Sequence, residues 1–276
     1  QKKRGRGEEG GGDARRLPKY VNKQRLLLVA SRGITARQRH LMEDVSKLLP
    51  QHKAENKLDC KGEPRALNEI CEVKSCNGCL YFESRKRTRL YAWFGRPAAG
   101  PTVKFSVLNV HTMDELRLTG NCGLGTRPLL CFDRTFRSTP LWRLCEELLT
   151  ATFAPPRGHP KTKPFHDHCL SFAIVEDAIW VRHFQITRDG DDDDDVRLIE
   201  IGPRFVLAPL RVLSGSFRGA TVFSRATDDD DDDDDQDGGR RDQDGGRLDQ
   251  DVVVVVSPLD KQQQQRDGDG DDDEPQ

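Results

Sequence analysis

The sequence predicts an α/β domain over residues 19–223, set between a basic arm at 1–18 and an acidic low-complexity tail at 224–276. Three observations carry that prediction. Short apolar runs of strand length alternate with longer segments of helical periodicity, the mark of a mixed sheet and helix domain. Hydrophobic residues make up only 35% of the 276, and mean hydropathy is -0.73, so part of the chain is expected to stay outside any core. Charge is also divided along the chain, although the net value is only -2: residues 1–188 hold 34 Lys and Arg against 19 Asp and Glu, and residues 189–276 hold 10 against 27. The basic part is the one suited to a polyanion, and the acidic part reads as a tail.

Each element follows in order. The apolar run RLLLVA predicts a strand over 25–30. A helix over 36–49 should follow, with Thr35 as N-cap and Gln38 three residues on as a capping box. Leu41, Val45, Leu48 and Leu49 give its buried stripe, and Pro50 ends it. A short helix is expected over 67–74, then strands at 79–83, 90–94 and 103–110. After a strand at 128–132, Thr139 caps a helix over 140–153. Pro140 takes its first position, Leu141, Leu144, Cys145, Leu148 and Leu149 form its stripe, and Pro155-Pro156 stop it. Strands at 169–175 and 178–186 form a hairpin turning at Glu176-Asp177, and strands at 196–201 and 204–213 are separated by a bend at Gly202-Pro203.

Asp191–Asp195 interrupt adjoining strands and fit only a solvent-exposed loop, because burying five charges is prohibitive. From Asp228 onward, aspartate runs and the seven-residue repeats DQDGGRR and DQDGGRL predict disorder. The terminal DGDGDDDE lacks the glycine and the twelfth position of an EF-hand loop, so calcium is not expected there. Limited proteolysis should accordingly leave a core from near Lys19 to near Phe223, with further cuts at 189–195, and protection of the tail would contradict this reading.

Eight cysteines, at 60, 71, 76, 79, 122, 131, 145 and 169, are expected to be reduced thiols, with Cys131 and Cys145 acting as small hydrophobes within apolar runs. Cys60, Cys71, Cys76 and Cys79 lack the second close pair of a zinc ribbon. His159, His166, His168 and Cys169 crowd together without an identifiable carboxylate partner. The glycine-rich loop 120–127, GNCGLGTR, precedes a strand and lacks the Lys-Ser/Thr of a P-loop, so nucleotide hydrolysis is not expected. No metal, cofactor or catalytic residue is expected, and no apolar run approaches the ~20 residues that span a bilayer.

Arg32, Arg37 and Arg39 surround a helix start, where cations oppose the helix dipole and call for an anion. A phosphate backbone meets that need. Lys161 and Lys163 mark a second RNA-facing loop, and the amides of loop 120–127 with Arg127 could cradle a phosphate. Arg204 beside Phe205, at the Gly202-Pro203 bend, is the candidate partner-facing site.

Five blocks, in this order, resemble the Brix-domain family of ribosome-assembly factors: NKQRLLLVASRGITARQRHLMEDV, LNEICEVKSCNGCLYFE, KFSVLNVHTMDELRLTGNCGLGTRPLLCFD, HPKTKPFHDHCLSFAIVEDAIWVRHFQI and LIEIGPRFVLAPLRVLSGSFRGA. The resemblance implies an α/β Brix domain of two similar halves, each like an anticodon-binding domain. It also implies a non-enzymatic scaffold that binds precursor rRNA in nucleolar pre-ribosomal particles of the large (60S) subunit. The implied partner is a small, largely helical nucleolar protein related to the EBNA-binding protein. Two other readings of the residues stay open at this level: a metal-dependent RNA-processing enzyme using the His166–Cys169 cluster, and a protein-only module with an acidic chaperone tail.

Overall fold

The structure is a computed structural model of the chain and describes residues 24–55, 58, 64–155, 159–188 and 196–225. The basic arm, the 191–195 insertion and the acidic tail lie outside the described residues. In chain order the elements are β1 (Leu26–Ala30), α1 (Ala36–Leu48), β2 (His52–Ala54), α2 (Ala66–Val73), β3 (Gly78–Arg85), β4 (Arg89–Gly95), β5 (Thr102–His111), α3 (Met113–Leu116), β6 (Pro128–Phe132), α4 (Pro140–Phe153), β7 (His168–Val175), β8 (Ala178–Arg188), β9 (Val196–Glu200), β10 (Arg204–Leu213) and β11 (Thr221–Ser224). A 3-10 turn at Arg134–Arg137 precedes α4.

Every predicted helix and strand is present. The elements missed are the short ones. β2 is three polar or small residues that become a strand only by pairing with β1. α3 is a single turn closed by its own capping box, Thr112 with Glu115, and β11 exists by pairing with the end of β10.

The strands form one sheet in the order β2-β1-β3-β4-β5-β10-β8-β7-β6, with β9 added to β8 and β11 to β10. Leaving out the edge strand β2, that order is a palindrome. In the first half, β1 passes through α1, the edge strand β2 and α2 to the parallel strand β3, which turns back into β4 and then β5. In the second, β6 passes through α4 to the parallel strand β7, which turns back into β8 and then β10. β5 and β10 join the halves antiparallel, from Thr102 opposite Leu213 to His111 opposite Arg204. Gly100-Pro101 and Gly202-Pro203 stand just before these two central strands, at matching places in the two halves. The domain is thus two similar halves about an approximate two-fold axis, a duplication that composition and periodicity did not reveal.

α1 and α4 cover one face. Their predicted stripes, Leu41, Val45, Leu48 and Leu49 from α1 and Cys145, Leu148 and Leu149 from α4, are buried against Leu28, Leu80, Phe94, Phe105 and Phe172. Burial pushes the Cys145 thiol up to about 12, which leaves it inert. On the opposite face of the first half, α2 packs Leu67 and Cys71 onto Leu27, Val29, Tyr81 and Trp93. Among the described residues no helix takes that place in the second half, and Leu129 and Trp180 remain 44% and 37% exposed there. Cys131 belongs to the same outward face of the edge strand β6 and is exposed, contrary to its expected burial, because strand alternation turns it away from Leu130 and Phe132. All described cysteines are free thiols. No described helix is long and apolar enough to cross a membrane.

Candidate nucleic-acid interface

Strand directions decide which predicted residues share a surface. β1, β3 and β5 end where β10, β7 and β6 begin, because β5 and β10 are antiparallel. The loop after β1 with Arg32, the start of α1 with Arg37 and Arg39, loop 120–127, Lys161 and Lys163, and Arg204 therefore all lie at one end of the sheet. They do not form one cluster. β1 and β7 are six strand spacings apart, on the order of 30 Å along the sheet.

At the α1 start the predicted capping box is formed. Thr35 Oγ1 accepts from the Gln38 amide at 3.3 Å, and Gln38 Oε1 accepts from the Thr35 amide at 3.0 Å. Arg32 and Arg39 are exposed. The anion beside Arg37 comes from the protein itself: its Nε lies 2.9 Å from Glu115 Oε1 and its Nη2 donates to Oε2 at 3.1 Å. Desolvation works upward on the Glu115 carboxyl, but the bonds from Arg37 and Thr112 outweigh it and hold the pKa below the usual range. The buried Asp44 fixes α3 against α1 by accepting from the Met113 amide at 2.8 Å and from Lys47 Nζ at 3.1 Å.

The same end carries basic residues that the sequence reading passed over. The β3–β4 hairpin turns there through Lys86, Arg87 and Thr88, between the paired Arg85 and Arg89, with Lys86 and Arg87 both at positive φ (50° and 60°). Lys86, Arg87 and Arg89 are exposed, and Ser84 N donates to Ser31 Oγ at 2.8 Å, which sets the hairpin beside the Arg32 loop. The run ESRKRTR between two strands was the available signal. Its counterpart in the second half, the predicted β7–β8 turn, is one residue shorter: Glu176 and Asp177, at φ 51° and 56°, form a two-residue turn between the paired Val175 and Ala178. Since the two-fold relation reverses the ends, the acidic turn lies at the opposite end of the sheet.

In loop 120–127, the predicted anion cradle, several amides already have acceptors within the protein. Asn121 N donates to Gln185 Oε1, Cys122 N to Asn121 Oδ1, Gly123 N to Asp167 Oδ2 and Thr126 N to the Gly123 carbonyl. Arg127 is also committed: its Nε and Nη2 donate to the Pro155 carbonyl at 3.2 and 3.0 Å, just past α4. Lys161 and Lys163 are exposed, and Lys163 N donates to the Gly125 carbonyl at 2.7 Å, so the two loops are brought together. Gly125 has φ 75°, and a Cβ there would come within 3.0 Å of the Lys161 carbonyl oxygen.

The His166–Cys169 cluster does not converge. His159 is buried and accepts from the Lys161 amide, while His166 is exposed beside the Arg127 carbonyl at 2.8 Å. His168 and Cys169 are consecutive in β7 and face opposite sides of the sheet. Cys71, Cys76 and Cys79 belong to the core beneath α2, and Cys60 lies outside the described residues.

At the second bend, Arg204 makes a bidentate ion pair with Glu200 across Ile201-Gly202-Pro203, and Phe205 is packed into the core. Arg204 can therefore offer a flank to a partner, whereas Phe205 supports the strand from within. The guanidinium holds the Glu200 carboxyl below the ordinary carboxylate range. The pair thus contributes stability above the unfolded carboxyl pKa of about 4.3, and that contribution is lost as pH falls through the lower folded value. Glu200→Gln should lower the unfolding free energy at neutral pH by under about 1 kcal/mol, given how exposed Arg204 is, and should have no charge-dependent effect in strong acid. Equal destabilisation at both extremes would assign the loss to packing.

Comparison with known proteins adds the family. The model described as Brix domain matches residues 31–211, which contain every candidate residue named above. Ribosome biogenesis protein BRX1 of Saccharomyces cerevisiae is 47% identical over 214 residues, covering 75% of this chain and 74% of that protein. The BRX1 homolog of Homo sapiens is 47% identical over 205 residues, 74% of this chain but 57% of the human protein. A crystal structure of a probable ribosomal biogenesis protein from Aeropyrum pernix K1 aligns with a TM-score of 0.44 at 14% identity, covering 67% of this chain and 96% of that one. With 47% identity sustained across three quarters of its length and a family match from the loop after β1 into β10, the chain belongs to the Brix-domain family.

Proposed function

We propose that this chain is a ribosome biogenesis factor that acts without catalysis, binding precursor rRNA of the large subunit in the nucleolus. The observation that carries the reading is the gathering of exposed Arg32, Arg39, Lys86, Arg87, Lys161 and Lys163 at one end of the sheet, with the acidic Glu176-Asp177 turn at the other. Two basic groups on the order of 30 Å apart match a folded RNA better than a short single strand. Capture would be electrostatic, with recognition by shape, since the chain carries no RRM, KH or zinc-finger signature for reading bases. A small helical nucleolar protein, related to the EBNA-binding protein, is the proposed partner. Arg204 and the uncovered face with Leu129 and Trp180 offer it a surface.

Crosslinking the protein to RNA in cells and sequencing the attached fragments tests the reading. Fragments of large-subunit precursor rRNA are the expected result. Recovery of no RNA above background from a folded, pre-ribosome-associated protein would favour the protein-only alternative.

A further inference from the structure

Two buried histidines behind the glycine loop have no part in the proposed RNA contact. His168 opens β7 and His183 lies diagonally across from it on the adjacent antiparallel strand β8, two residues from the position opposite, since His168 faces Gln185 and Leu170 faces His183. They are 2% and 0% exposed, and their rings meet edge to face at 5.1 Å. Cys122, half-buried in the loop before β6, completes the group. Its Sγ and one nitrogen from each imidazole all lie within 4.8 Å of one another.

Hydrogen bonding fixes which nitrogens are available. His183 Nδ1 is 2.6 Å from the Gly202 carbonyl, which only accepts, so Nδ1 carries the proton and Nε2 keeps its lone pair. That Nε2 is fully buried without a partner, a state that ordinarily costs about 1–3 kcal/mol. His168 Nδ1 is 2.6 Å from Asp167 Oδ1, and the other oxygen of Asp167 is held by the Gly123 amide at 2.7 Å. Each imidazole thus has one nitrogen anchored on a carboxylate or a carbonyl, the support that orients metal-binding histidines.

We propose that Cys122, His168 and His183 bind a single zinc-class divalent transition-metal ion, with a water in the fourth tetrahedral position. Mixed imidazole and thiolate donors select this class over magnesium or calcium. Zinc bond lengths require donors roughly 3.3–3.6 Å apart, so the group closes by no more than about 1.5 Å on binding. Cys122 can supply that movement, because it lies outside any helix or strand while the histidines are set by the hairpin. On binding, the Cys122 thiol proton passes to solvent as the sulfur–metal bond forms, and nothing is oxidised or reduced. The ion would tie loop 120–127 to the β7–β8 hairpin, so its role is structural and independent of whether the chain binds RNA. Spacing hides the site, since its ligands come from three separate segments.

Cobalt(II) alone is the probe, added to the full chain after removal of metal by chelation. The expected result is one equivalent bound per chain, with tetrahedral ligand-field absorption and a thiolate-to-cobalt charge-transfer band, both displaced by zinc. Cys122→Ser should abolish the charge-transfer band, and Cys71→Ser should leave it intact. Asp167→Asn, which acts through His168 and through the Gly123 amide beside Cys122, should weaken binding by about 10–100-fold. Retention of the band in Cys122→Ser, or its absence from the wild-type chain with a native circular-dichroism spectrum, would overturn the proposal. Binding to the acidic tail would give only weak octahedral absorption without the thiolate band, and that result also counts against it.

Discussion

Phe172→Ala should destabilise the domain by about 3–5 kcal/mol, the range for truncating a large aromatic side chain in a close-packed core. Phe172 is 1% exposed on β7 and lies flat against Phe132 of the neighbouring strand, with ring centroids 4.8 Å apart and planes at 12°. Phe153 of α4 meets it from above at 5.9 Å. The ring therefore links strand to strand and sheet to helix, and its removal leaves a cavity that none of the three can close alone. Against a typical domain stability of about 5–15 kcal/mol, such a loss is a large fraction of the total. Urea unfolding should show a lower midpoint with an unchanged slope. Leu129→Ala, on the uncovered face, should shift stability by no more than about 0.5 kcal/mol. A change under about 1 kcal/mol for Phe172→Ala would mean that the second half repacks around the loss.

The second large effect is expected in RNA binding. Reversing Arg39 and Arg87 together, to Glu, should weaken association with unrelated RNA sequences by on the order of tenfold or more at low salt. The slope of log affinity against log salt should fall by about 1 for each phosphate contact removed. Both side chains are exposed and neither belongs to the buried stripe of α1, so folding should survive. Arg37 is a poorer probe, because Arg37→Glu would set a carboxylate against Glu115 and disturb the contact between α1 and α3. Lys161→Glu with Lys163→Glu tests the second group separately. Additive losses in the combined variant would fit one RNA that spans both groups. An unchanged salt slope in folded Arg39/Arg87 variants would remove this end of the sheet from the RNA contact.

Much of this architecture is legible in the sequence because the deciding interactions are short-range. Thr35 and Gln38 are three residues apart, as are Thr139 and the Trp142 amide that it caps, so composition alone marks both helix starts. Apolar spacing within α1 and α4 similarly names the buried residues, and Glu176-Asp177 marks a hairpin between two strands it directly joins. Family membership is legible too, through five ordered blocks that the match over 31–211 bears out.

Tertiary structure decided what each side chain is free to do. Arg37, Arg39 and Arg127 look alike in sequence, yet Arg37 is held by Glu115, 78 positions away, and Arg127 by the Pro155 carbonyl, while Arg39 stands exposed at the helix start. Cys122, His168 and His183 meet only because β7 and β8 pair in one register and the glycine loop folds back over Asp167. The reason is physical. A cap or an amphipathic stripe is closed within one or two helical turns, whereas which ends of a sheet coincide, and which charges face each other there, depends on strand direction and register, fixed here by the antiparallel joining of β5 to β10.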